Sequence, residues 1–485
     1  MDQLIKKIKA QEEIANQLET ALPDREQLLE KVTESANQFL ENLPTAKAYQ
    51  QQEPKMESFL IPEEPKTIKE ILDIIQEEVF EPGIRAASGG HMGYIPGGGV
   101  FSASLGDFLA AISNEYAGIA FASPGAVAME NVIINWLKKL FSFPENAVGN
   151  LASGGSISSL IALTAARDKY GVKNQHILQS VIYMTPQIHH CIQKSLRIIG
   201  LEDVIIRYIP LDRHYRMDTL ALEKQIHADK SEGLSPFLVI ASAGTTDVGA
   251  IDPLNEIANI SERHRLWFHV DAAYGGFFIL TSKKDKFKGI ERADSLVVDP
   301  HKGMFLPYGI GAVLVKDADA VLHSNLYMAN YMQDALSEDL VKSPANVSPE
   351  LTKHFRALRM WLPLQLHGIT PFIASLEEKL LLTTYFRKQL IAAGFQVGPE
   401  PELSVSYFWF PYPKDENDFN RRLLHHIHED GTAFLSSTML DGRFVIRIAI
   451  LSFRTKLETI DKAMGMILGC LEKTKMDFSQ SELKR

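Results

Sequence analysis

LWFHVDAAYGGFFILTSKKDKFKGIERADSLVVDPHK, residues 266–302, is the stretch that decides the fold. Leu266, Phe268 and Val270 alternate with Trp267, His269 and Asp271, the period of a buried β-strand. The strand runs into Ala272, Ala273, Gly275 and Gly276, small residues where backbone can approach a flat ligand. A second apolar strand, Ser295 to Val298, ends in Asp299-Pro300-His301-Lys302. An acid and a lysine therefore each sit just past the carboxyl end of a strand. In open α/β sheets that edge binds ligands.

Pyridoxal phosphate (PLP) chemistry needs this combination. A lysine forms a Schiff base with the cofactor aldehyde, and a carboxylate keeps the pyridine nitrogen protonated so that the ring accepts electrons. Either residue alone reads as a loop lysine or an acid capping a strand end. Together, in His269-Val270-Asp271-Ala272-Ala273-Tyr274 and Pro300-His301-Lys302, they resemble the group II PLP-dependent decarboxylases, the family of aromatic amino-acid and glutamate decarboxylases. The resemblance implies Lys302 as the Schiff-base lysine and Asp271 as the partner of the ring nitrogen.

At 485 residues the chain has room for a large core and two or three structural units. Its net charge of -10 argues against a general nucleic-acid binder and gives no attraction to an anionic membrane surface. Two cysteines, Cys191 and Cys470, exclude a disulfide framework and fit a reducing cytoplasm. The N-terminus has no apolar run of signal-peptide length, and its glutamates disfavour a transit peptide. A soluble, cytoplasmic protein is expected.

Residues 1–50 read as helical, with Asp24 as an N-cap and Leu28, Leu29, Val32, Ala36, Phe39 and Leu40 on one docking face. A proline-punctuated linker, 51–66, and an amphipathic helix, Ile68 to Phe80, follow. The glycine-rich segment 88–100 is neither a Walker loop nor a dinucleotide fingerprint. By the family resemblance, Tyr94 and Pro96 within it line the substrate pocket. The helix Ala120 to Leu137 resembles another family stretch, and its one acid, Glu130, reads as structural.

The turn ASGGS, 152–156, opens a helix whose free N–H groups and dipole suit an anion. Gly155 and Ser156 match the family's phosphate-binding positions. His189, in PQIHHC, aligns with the histidine that stacks on the cofactor ring; consecutive His189, His190 and Cys191 offer poor geometry for a metal. Thr246 matches a residue near the cofactor, and Ala273 the small residue on the ring face opposite His189. His301 completes the cofactor set. Three strands ending near Thr246, Asp271 and Lys302, with helical crossovers, predict a mostly parallel sheet.

The polar stretch His323 to Lys353 reads as a lid. The family resemblance implies a mobile loop here whose tyrosine gives the proton to Cα; Tyr331 is the nearest aromatic, earlier than the family's position, and His189 is the competing donor. From Pro371 onward, helix, strand, helix, strand and helix predict an α+β unit. The histidines 425, 426 and 428 read as a solvated helix face rather than a metal site. Arg447 lies in a strand that matches the family near its C-terminus.

The resemblance implies an α/β chain of PLP fold type I (aspartate aminotransferase-like), with a mostly parallel central sheet. Residues 1–100 form an N-terminal docking segment, 101–365 the large PLP-binding domain, and 366–485 a small α+β domain. The implied reaction is α-decarboxylation of an aromatic or acidic L-amino acid, with PLP as cofactor, in a homodimer without metal. Departures from the family pattern are Asp299 for its usual Asn and Gly303 for its frequent Trp. They leave open another PLP outcome, such as a decarboxylating deaminase, carbon–carbon lyase or aminotransferase, and a PLP-binding protein without turnover.

Overall fold

The structure, a computed structural model, describes residues 1–327 and 340–483. Its central sheet comprises β1 (Val148–Ala152), β2 (Ser180–Met184), β3 (Ile205–Tyr208), β4 (Ser235–Ser242), β5 (Trp267–Asp271), β6 (Ser295–Val298) and β7 (Gly311–Val315). The spatial order is β1-β7-β6-β5-β4-β2-β3. From β3 through β6 all neighbours pair in parallel, while β7 runs antiparallel to both β6 and β1.

Every residue of β2, β5, β6 and β7 is buried. Such continuous apolar runs are what a sheet covered on both faces requires. The two-residue side-chain period sends Phe268, Val270, Leu296 and Val298 into one core. Trp267, Ile240, Val297 and Val313 enter the other. Ser242 lies opposite Asp271, and Asp271 opposite Val297, so the carboxyl ends of β4, β5 and β6 are level.

Gly275 and Gly276 are small for a reason other than the expected ligand approach. A Cβ on Gly275 would run into the Ala243 carbonyl, and one on Gly276 would sit 2.8 Å from Val298 Cγ2. Only Ala273 of that group faces the cavity described below.

A second sheet, all antiparallel, has the order β8-β9-β11-β10, with β8 (Gln396–Val397), β9 (Val405–Trp409), β10 (Ser436–Leu440) and β11 (Arg443–Ala449). It packs with helices Thr370–Ala392, Glu416–Asp430 and Leu457–Leu483. The sequence reading expected two strands here. The additional β10 is joined to β11 by Asp441-Gly442, both at positive φ (50° and 78°), the pair a tight type I′ hairpin needs. Segment 90–93 is built into the same unit: Met92 N–H donates to the Phe434 carbonyl, and Ala449 N–H donates to that of Met92.

Helices Asp2–Ala15 and Leu22–Asn42 open the chain. The second is capped at Ala21 with Pro23 in its first turn, so Asp24 lies inside the helix, near its positive end, instead of capping it. Leu28, Leu29 and Val32 on this helix are exposed. Of the histidines on Glu416–Asp430, His425 is exposed as expected, but the other two are not a solvated face. His426 is buried between Glu429 and Asp477, both at 3.0 Å, and His428 donates to the Leu435 carbonyl. Among the described residues, no helix is long and apolar enough to cross a membrane.

Candidate active site

The level carboxyl ends of β4, β5 and β6 open onto a cavity of about 400 Å³. Its walls include Gly155, Ser156, His189, Thr246, Asp271, Ala273, His301 and Lys302. Eight positions spread over 148 residues of sequence (302 − 155 + 1) thus meet around one space.

Asp271 is the last residue of β5, and one carboxylate oxygen accepts the Ala273 N–H at 3.1 Å. Burial pushes its carboxyl up from the ordinary range, against that hydrogen bond and the nearby charges of Lys302 and His189. A desolvated acid in this state gains most from a cation placed beside it. His189 is half-buried and its Nδ1 accepts the Cys191 N–H at 3.2 Å, which puts the proton of the neutral ring on Nε2. Burial lowers its pKa more than Asp271 raises it.

Beyond β6 the chain forms a one-turn helix, Pro300–Gly303, with Asp299 at its N-cap. Residues three apart on a helix are neighbours, and Lys302 Nζ lies 2.9 Å from Asp299 Oδ2. His301 donates from Nδ1 to the Ile310 carbonyl at 2.5 Å, which fixes its ring against β7. Gly303 is explained by packing. A Cβ there would lie 2.7 Å from the Cβ of Phe277, a buried ring against which Trp136 stacks.

The turn between β1 and helix Gly155–Lys169 lines the same cavity and abuts Asp299. Gly154 sits at φ 151°, and a Cβ on Gly155 would be 3.0 Å from Asp299 Oδ2 and 3.4 Å from the Ala273 Cβ. The first N–H groups of this helix have no intrahelical acceptor. The buried Ser158 hydroxyl in the next turn has no protein partner. This backbone cradle, filled by a single added methyl, suits a phosphate group. A lysine and an acid lining the same cavity suit the aldehyde and pyridine ends of PLP, so the residues present fit that cofactor.

Tyr94 and Pro96, expected in the substrate pocket, are not among the walls of this cavity. Tyr94 is exposed, at φ 50°, and Pro96 is buried in the stretch whose Gly97 abuts the His301 carbonyl. Their backbone is nonetheless tied to the site. Arg447 in β11 donates to the carbonyls of Tyr94 (3.0 Å), Asp247 (3.1 Å) and Thr246, clasping three distant segments. Burial draws its pKa down to about 10. Tyr331 lies outside the described residues. The sequence reading missed Tyr308, which lines the cavity and meets the His301 ring edge-on at 5.7 Å. It also noted Asp299 only as a departure. The three-residue spacing of Asp299 and Lys302 was the available signal.

The family model of the pyridoxal-dependent decarboxylase conserved domain matches residues 51–410. An aromatic-L-amino-acid decarboxylase from Bacillus atrophaeus is 33% identical over 429 residues, covering 86% of this chain and 88% of its own. A phenylacetaldehyde synthase from Arabidopsis thaliana is 27% identical, covering 84% and 86%. Among solved structures, Oryza sativa TDC with PLP and tryptamine superposes with a TM-score of 0.86 at 22% identity, over 93% of this chain and 98% of the other. Rhodiola rosea 4-hydroxyphenylacetaldehyde synthase gives 0.85 at 22%, over 94% and 99%.

Proposed function

From the premise that the chain belongs to the pyridoxal-dependent decarboxylase family, we propose that it releases the α-carboxylate of an aromatic L-amino acid as CO₂, with Lys302, Asp271 and His189 as the working residues. The protein is a PLP-dependent carboxy-lyase of fold type I. The observation that carries the choice of an aromatic over an acidic substrate is the cavity wall. Among the described residues, Lys302 is its one lysine or arginine, so no cation is left to neutralise a side-chain carboxylate, while Tyr308 offers an aromatic surface. The 33% identical relative is named for an aromatic substrate as well.

In this reading Gly155 and Ser156 hold the phosphate, and Lys302 holds the aldehyde carbon. Asp271 would pair with the ring nitrogen, and His189, Ala273, Thr246 and His301 would complete the cradle. When bound, PLP supplies an electron sink for the pair left on Cα by the departing CO₂. Asp271 keeps a proton on the ring nitrogen; each pKa unit of that preference is worth about 1.4 kcal/mol. Neutral His189, with its proton on Nε2, donates without adding charge. Tyr331 returns the proton to Cα, and Tyr94 and Pro96 border the substrate.

The division at residues 100 and 365 belongs to this proposal, as does a homodimer. Its support is an exposed apolar stripe, Phe101, Leu105, Phe108, Leu109 and Ile112, on helix Phe101–Ser113, together with the exposed Leu28, Leu29 and Val32 of the N-terminal helix Leu22–Asn42. Cys191 and Cys470, both buried and free, support a cytoplasmic setting.

The test is a panel of aromatic and acidic L-amino acids assayed for CO₂ with identification of the organic product, alongside borohydride reduction and peptide mapping. Aromatic-selective CO₂ release, amine product and label on Lys302 are expected. Aldehyde with hydrogen peroxide would transfer the chain to the synthase-like outcome, and a slower, more aldehyde-rich Tyr331→Phe would assign Tyr331 as donor. Label on another lysine would overturn the site.

A further inference from the structure

Lys302 faces more negative charge than one ammonium needs. Asp299 Oδ2 is 2.9 Å away, and Asp271 lines the same cavity. Asp299 is 2% exposed, and its other oxygen, Oδ1, has no hydrogen-bond partner in the protein. It is walled by Gly155 and Gly311, where an added Cβ would come within 3.0 Å and 2.6 Å of its oxygens, so its position is fixed by backbone. His301 Nε2 is the other polar group near Oδ2, at 3.5 Å.

We propose that Asp299 is the resting place of Lys302: a fixed, buried carboxylate that takes up the lysine as an ammonium whenever it is not bonded to cofactor. This rests on the assignment of Lys302 above and adds a positioning residue to it. The proton balance is simple. An incoming amino acid arrives as an ammonium and must shed one proton to replace Lys302 on the cofactor, and the released lysine gains one. Asp299 stabilises the lysine in that protonated state, so exchange is drawn toward substrate and the freed amine is kept from attacking again. The same pairing makes first capture of the cofactor aldehyde slower at low pH, because only neutral lysine attacks a carbonyl.

Other groups facing Lys302 are Asp271, His189, His301, Cys191 and Tyr308. Burial pulls its pKa down, but the charge and hydrogen bond of Asp299, with Asp271 behind them, push harder, and the ammonium is held above its ordinary range.

The experiment measures acetylation of Lys302 by acetic anhydride in cofactor-free protein across pH 7–11, read by mass spectrometry, for wild type and Asp299→Asn. Wild-type labelling should be scarce at pH 8 and reach its midpoint above the ~10.4 of free lysine. In Asp299→Asn the midpoint should fall by a unit or more, with about tenfold faster labelling at pH 8. A merely structural Asp299 would leave this profile in place. Coincident profiles, or a wild-type midpoint at or below that of free lysine, overturn the proposal; the second outcome needs no variant to fold. The reagent is not the cofactor, so failure here is separable from failure of borohydride to fix PLP on Lys302.

Discussion

The lysine–carboxylate pairs Lys353–Glu130 and Lys302–Asp299 both hold a buried acid, and they differ in what surrounds them. Lys353 Nζ meets Glu130 Oε1 at 2.5 Å and Asn150 Oδ1 at 3.1 Å, with the lysine side chain fully enclosed. Glu130 also accepts the Leu151 N–H at 3.0 Å. One lysine has one acid, and this cluster is closed. Lys302 keeps 21% of its side chain accessible, faces a cavity, and has two acids, one with an oxygen unpaired. The electrostatic outcomes are opposite. Burial outweighs Glu130 and lowers the pKa of Lys353, whereas Asp299 and Asp271 outweigh burial at Lys302 and raise it. Burial with an ion pair is therefore common to scaffold and site. Surplus charge beside accessible space distinguishes the site.

The largest expected effect tests that surplus. Asp271→Asn should lower turnover about a thousandfold, which is ~4 kcal/mol of barrier at ~1.4 kcal/mol per decade, while PLP absorbance persists. Turnover within tenfold of wild type would show that the second acid is as structural as Glu130. In the other direction, Glu130→Gln should cost about 3–5 kcal/mol of stability, because it strands a buried ammonium. Activity per folded molecule should stay within about twofold, and a large kcat loss at normal stability would erase the contrast between the pairs. The sign of its pH dependence follows from the lowered pKa of Lys353. The unfolded chain holds that proton to higher pH than the folded one, so stability rises with pH in the window below ~10.4, and urea midpoints should recover there.

The smallest effect concerns a buried base with no acid at all. His91 is 3% exposed, and burial draws its pKa down to about 4 against the smaller opposing effect of the Ala86 backbone. A folded pKa below the unfolded ~6.5 means the contribution is complete above pH 6.5 and is lost as pH falls toward 4. His91→Gln should flatten the acid limb of the stability curve by at most about 3–4 kcal/mol. An unaltered limb would place the acid sensitivity on His269, buried beside the site with its pKa near 3.

Much of the site was legible because its parts are local. The period of two in β5, the acid at its end, the PHK turn and the ASGGS turn each carry their chemistry within a few residues, and the structure gathers them around one cavity. The hairpin at Asp441-Gly442 carried an equally local signal that went unread. The His426 contact did not: its partner Asp477 is 51 residues away on another helix. Nor did Gly275 announce that its neighbour would be the Ala243 backbone instead of a ligand.

By itself the sequence determined the strand-to-turn punctuation and the residue types that PLP requires, because side-chain period and turn chemistry are short-range properties. Only the tertiary structure decided which charges distant in sequence meet. The level ends of three parallel strands bring Asp271 into the cavity of Lys302, and the wall of Gly155 and Gly311 fixes Asp299. Arg447 reaches across 353 residues to the Tyr94 carbonyl. Coulomb energy depends on distance and burial, and for groups far apart along the chain neither is written in their spacing.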